Sequence, residues 1–226
     1  MNRVQGVMKM HLRDRWLWFF VPLLVLLPSF LINITISYFV EEPIYTGGIM
    51  SLYIYMLVAG IISLVQSFPF ALGLSVRRTD YFTGTAMVAG AVSILMAVLL
   101  LLLSFVEKRT GFWGVDLHFF LLPYFNDGGI AEQLWIYFSI LINMFFLGFF
   151  ISSIYRRFGK KGLGVFFILL VTLMTVCSYV ITFNQWWATM FHWLAGHPAS
   201  MLASWSVLFT VGYAILSYFM LRKSTV

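Results

Sequence analysis

The side chains through which this chain could do acid–base, nucleophilic or metal chemistry are few: four histidines, one cysteine and eight carboxylates in 226 residues. His11, His118, His192 and His197 all lie outside the long apolar stretches, so no two can meet across facing helices as axial haem ligands. His192 and His197 stand five apart with no third ligand nearby, which is not a zinc pattern. Cys177 is alone in an apolar run, which excludes an internal disulfide and a paired-cysteine site. The chain has no glycine-rich phosphate loop, nucleophile elbow, His-Glu-x-x-His or paired carboxylates on one apolar segment. The expectation is a protein with no catalytic, cofactor-binding or metal-binding residues of its own, and not an enzyme.

The elements that carry these residues are dictated by composition. Hydrophobic residues make up 62% of the chain and charged residues 10%, with a mean hydropathy of +0.94. A soluble domain of this size could not hide so much apolar surface, so lipid is the solvent for most of it. A helix needs roughly 20 mainly apolar residues to cross the hydrocarbon. Six stretches qualify, at about 16–40, 48–74, 81–106, 133–155, 163–183 and 203–221, and none contains Asp, Glu, Lys or Arg. The first is too long for a signal peptide and ends in Glu41-Glu42 without a small-residue cleavage site, so it reads as a retained anchor. The reading is an all-α integral membrane protein: an amphipathic helix over 1–15, then one six-helix domain over 16–226.

Orientation follows from the cations, because Lys and Arg in short loops stay on the cytoplasmic side. With the N-terminus inside, twelve of the fourteen fall inside: Arg3, Lys9, Arg13 and Arg15; Arg77 and Arg78; Arg156, Arg157, Lys160 and Lys161; Arg222 and Lys223. Only Lys108 and Arg109 fall outside, next to Glu107. Both termini are therefore expected in the cytoplasm. The net charge of +6 describes a face for anionic lipid headgroups or an acidic partner, not a nucleic-acid binder.

In the first segment, Val4, Val7, Met8, His11 and Leu12 share one helical face, Arg3, Gln5, Lys9 and Arg13 lie away from it, and Met10 falls on the polar side. The inner loop Ser75-Val76-Arg77-Arg78-Thr79-Asp80 has room for little more than one helical turn, with Ser75 or Thr79 as its cap. It reads as a capped turn whose charges point off the membrane, or as an ordinary positive-inside anchor. Residues 156–162 read as a charge-dense turn. On the outside, 107–132 and 185–200 are rich in aromatics suited to the headgroup layer, and Trp186, Trp187, Phe191 and Trp193 are expected to form a lid over a path between the helices. Ala59 with Ser63 and Ala86 with Gly90 mark close helix contacts, and Asn33, Thr35, Gln66, Ser67 and Asn143 are expected to satisfy neighbouring helices.

Without an ionisable residue inside a span, ion-coupled transport lacks its usual means, and energy for moving a substrate would have to enter from the cytoplasmic face. The 18 residues from Phe68-Pro69-Phe70 through Gly73, Arg77-Arg78, Tyr81-Phe82 to Gly84-Thr85 resemble the first inner loop and its flanks in type-2 ABC export permeases. That resemblance implies that Ser75, Val76, Arg77, Arg78, Thr79 and Asp80 form a coupling helix seated in a cleft of an ATPase, with Arg77, Arg78 and Asp80 as the foremost contacts. It also implies a separate ABC ATPase chain holding ATP and Mg, a second permease copy or related permease as partner, and a bacterial plasma membrane. The alternative is a non-transporting sensor, assembly or immunity protein that binds another membrane protein through its outer aromatic loops.

Overall fold

The computed structural model describes residues 3–125 and 128–223. Residues 1–2 of the expected interfacial helix and 224–226 of the expected membrane domain lie outside these. Among the described residues the chain is all-α apart from one two-residue strand pair, and five helical stretches are long and apolar enough to cross a membrane.

Helix α1 (Arg3–Arg13) is followed by a π-helical turn, Trp16–Phe20, that runs into α2 (Val21–Tyr38). Strand β1 (Ile44–Tyr45) leads to α3 (Met50–Ile62), a second π turn, Ser63–Ser67, and the short α4 (Phe68–Gly73). Helix α5 (Arg78–Arg109) is next, then β2 (Leu117–His118), which pairs with β1 in parallel, Ile44 opposite Leu117. Helix α6 (Ile130–Phe183), α7 (Trp187–Ala195) and α8 (Ala199–Arg222) complete the chain.

Each π turn leaves carbonyls out of the α-helical ladder, and tyrosines on other segments take them up. Tyr55 Oη donates to Leu17 O at 2.5 Å, and Tyr81 Oη donates to Ser63 O at 2.9 Å. The tightest helix contact is between α3 and α6, where two glycines interlock. A Cβ on Gly60 would lie 2.1 Å from Phe145 O, and one on Gly148 would lie 1.9 Å from Leu57 O. Backbones this close admit no side chain. In the expected stripe around Ala86 and Gly90, Ala89 is buried and Ala86 packs against the core, while a Cβ on Gly90 would meet nothing within 4 Å.

The fourth and fifth expected spans are joined in one 54-residue helix, α6, whose only non-helical residue is Gly159 at φ 68°, ψ −169°. A side chain would be strained in that conformation. Phe150 and Phe166 bring their rings to 5.9 Å across this break. In a straight helix, sixteen residues would separate them by about 24 Å along the axis, so the two parts fold back on each other. The expected turn over 156–162 is thus compressed into one residue. From Gly164 to Val180, every side chain but Phe166 is exposed within the chain.

Candidate functional site

One end of the bundle gathers the cations. Helix α1 is seated there by shape and by one polar contact: Val7 lies over Gly84, where a Cβ would come 2.8 Å from the valine side chain. His11, 3% exposed, shares a hydrogen bond of 2.9 Å between its Nε2 and Thr85 Oγ1. Burial pushes the His11 imidazole down to about 4, against the opposing charge of Asp14. Val7 and His11 lie on the buried face as expected; Met10, placed on the polar side by periodicity, packs against the core, and Leu12 is exposed.

Between α4 and α5 the chain reverses over four residues. Leu74 N donates to Phe70 O and Ala71 O, Val76 N donates to Ala71 O, and Ser75 sits at φ 57°. Arg77, extended at φ −66°, ψ 142°, is the N-cap of α5, and no side chain caps it, so neither Ser75 nor Thr79 has the capping role expected. Asp80 in the first turn complements the positive helix end. The six residues expected to form one coupling element are divided: Ser75, Val76 and Arg77 form the turn, while Arg78, Thr79 and Asp80 open α5. Ser75, Arg77 and Thr79 are exposed. Arg78 Nη1 donates instead to Arg222 O of α8 at 3.0 Å.

Arg156 completes the gathering, its guanidinium 5.6 Å from the centre of the Phe68 ring. These contacts set α1, the 74–77 turn, the Arg156 region of α6 and the end of α8 at one end of the molecule, although their cations are far apart in sequence. A groove of about 710 Å³ separates α1 from residues 70–76. A smaller cavity of about 200 Å³ beside it is lined in part by Gln66 and Ser67.

The opposite end is closed by residues 112–125, held by a carboxylate that sequence patterning placed among outer-loop charges. Glu107 is fully buried and accepts from Trp113 Nε1 at 3.0 Å, Phe120 N at 2.9 Å, Leu121 N at 3.0 Å and Phe119 N at 3.2 Å. Phe119 and Phe120, also buried, pack on the Phe30 ring of α2, the first edge-to-face and the second tilted. The only advance signal was an acid at the end of an apolar run followed by an aromatic loop. Tyr124 Oη donates to His197 O at 2.8 Å, which brings the 194–198 segment to the same end. Trp186, Trp187, Phe191 and Trp193, the expected lid, have exposed rings, and Trp187 turns back to donate to Thr182 Oγ1 at 3.0 Å. It is Phe119 and Phe120 that cover the helix ends.

Among the polar groups inside helices, Asn143 bonds across to α8, its Nδ2 2.9 Å from both Ser206 O and Thr210 Oγ1. Asn33 and Thr35 instead bond back to their own helix, at Ser29 O and Leu31 O. Among the described residues, no three His, Cys, Asp or Glu side chains converge to hold a metal ion. No protein-family model, curated protein or solved structure matches this chain.

Proposed function

We propose that the chain is the transmembrane permease subunit of an ATP-binding-cassette exporter. In this reading it crosses the bacterial cytoplasmic membrane six times, α6 supplying two crossings on either side of Gly159, with both termini inside. A separate ATPase chain holds ATP and Mg and pushes on the cytoplasmic face, and a second permease copy or related permease completes the substrate path. The substrate class that suits the apolar spans is a hydrophobic peptide, lipid or drug.

The observation that carries the reading is the convergence of four separate basic segments on the end of the bundle that holds the 74–77 turn. Positive charge on one side is the mark of a cytoplasmic face. The turn there is short, exposed and fixed rigidly to α5, and α5 spans 32 residues, long enough to carry a displacement across the bilayer.

The test is purification of the tagged chain from its native membrane with its companions cross-linked, followed by assay of the complex for vanadate-sensitive ATP hydrolysis. The wild-type chain should bring down a polypeptide with that activity. Arg77→Glu, which reverses an exposed charge without touching the Arg78–Arg222 contact, should lose it at least tenfold while keeping its helical circular dichroism. Recovery of the same ATPase activity with Arg77→Glu would contradict the docking role, and absence of any ATPase from the wild-type complex would favour the non-transporting alternative.

A further inference from the structure

We infer that the groove between α1 and residues 70–76 is a binding site for one anionic phospholipid of the leaflet in which α1 lies. The inference requires only that the chain sits in a bilayer, and stands independently of the permease reading. Met10 of α1 faces Phe70, Leu74 and Val76 across a volume of about 710 Å³, within the range of sites that enclose small ligands. Phe70 and Leu74 are 58% and 63% exposed in the chain alone, so these walls need an apolar occupant.

The rim settles what kind. Lys9 and Arg13, four apart on one face of α1, both border the groove. Asp14, the single carboxylate lining it, accepts from Leu17 N at 3.2 Å and is outnumbered by the two cations, which leaves the rim net positive. An acyl chain against the walls and a phosphate between two cations is the chemistry of an anionic lipid. The groove exists because α1 is held off the 70–76 segment by its own seat on Gly84 and Thr85. Gly6 also borders it, and a Cβ there would meet nothing within 4 Å, so a large side chain at this position can occupy the space without displacing the helix.

The experiment is native mass spectrometry of the delipidated, detergent-solubilised chain titrated with dioleoylphosphatidylglycerol or dioleoylphosphatidylcholine. One phosphatidylglycerol should be retained at concentrations at least tenfold below those needed for phosphatidylcholine. Lys9→Glu with Arg13→Glu should abolish that preference, and Gly6→Phe should weaken phosphatidylglycerol binding at least tenfold, whereas the control Lys160→Glu with Lys161→Glu should leave it unchanged. Equal retention of the two lipids, or a preference that survives both groove variants, would overturn the site. Displacement of the lipid by glycerol phosphate or by a poly-glutamate peptide would overturn it too, because the rim charges would then act without the apolar walls.

Discussion

At the scale of single residues, two buried polar groups fix how the ends of the bundle are dressed. His11 is neutral where it meets Thr85, with its folded value near 4 against 6.5 when free. A base whose folded value is depressed contributes stability that is complete above 6.5 and is lost as pH falls toward 4. By pH 5 the docking of α1 should weaken by about 2 kcal/mol. Hydrogen exchange at Val7–His11, corrected for its intrinsic pH dependence, should accelerate between pH 7.5 and 5 in the wild type and stay flat in His11→Gln. Glu107 does the complementary task at the far end. Glu107→Ala would strand the amides of Phe119, Phe120 and Leu121, and a loss of about 3 kcal/mol should speed their exchange by about a hundredfold. Neither role was legible in the sequence. A histidine on an amphipathic face gives no sign of the threonine 74 positions away, and Glu107, beside Lys108 and Arg109, looks like one more loop charge.

At the scale of elements, long apolar runs located five long helical stretches, because a backbone in hydrocarbon has to satisfy its own hydrogen bonds, while the fourth and fifth expected spans are one continuous helix broken only at Gly159. The ends were less legible. Helix α5 continues to Arg109, past the expected limit at 106, because loop amides and the Trp113 indole satisfy the Glu107 carboxylate with hydrogen bonds. The π turns had no pattern to announce them, since what stabilises each is a tyrosine from elsewhere in the chain. The α3–α6 contact was missed for a similar reason. Gly60 and Gly148 belong to different helices, and although Gly148 and Ser152 stand four apart, nothing in the spacing shows that these two glycines face each other. Gly148→Ala should destabilise the bundle by about 3 kcal/mol through overpacking against Leu57 O, whereas Gly90→Ala should be neutral. Thermal midpoints of the two variants in one detergent would check this contrast.

At the scale of the whole molecule, sequence reading gave the cations one side, and the contacts gather them at one end: α1 on Gly84 and Thr85, Arg78 on the end of α8, and Arg156 over Phe68. The family resemblance marked residues 75–80 as the place where force would enter, with Arg77, Arg78 and Asp80 as the foremost contacts. Arg78 is occupied in joining α5 to α8, which leaves Ser75, Arg77 and Thr79 as the outward groups. The apolar stretch from Gly164 to Val180, exposed within the chain but for Phe166, is a surface that lipid or a second membrane subunit would have to cover.

In the proposed orientation the cationic end, with its short turn, faces the cytoplasm while the Glu107 end and α7 face outward. Labelling of single cysteines by a membrane-impermeant maleimide in intact cells, with Cys177 replaced, tests it most directly. Thr79→Cys and Lys161→Cys, at exposed positions, should react only after the cells are opened, while Lys108→Cys and Ala188→Cys should react at once. Immediate labelling of Thr79→Cys would contradict the account, and protection of Ala188→Cys in intact cells would contradict the return crossing of α6.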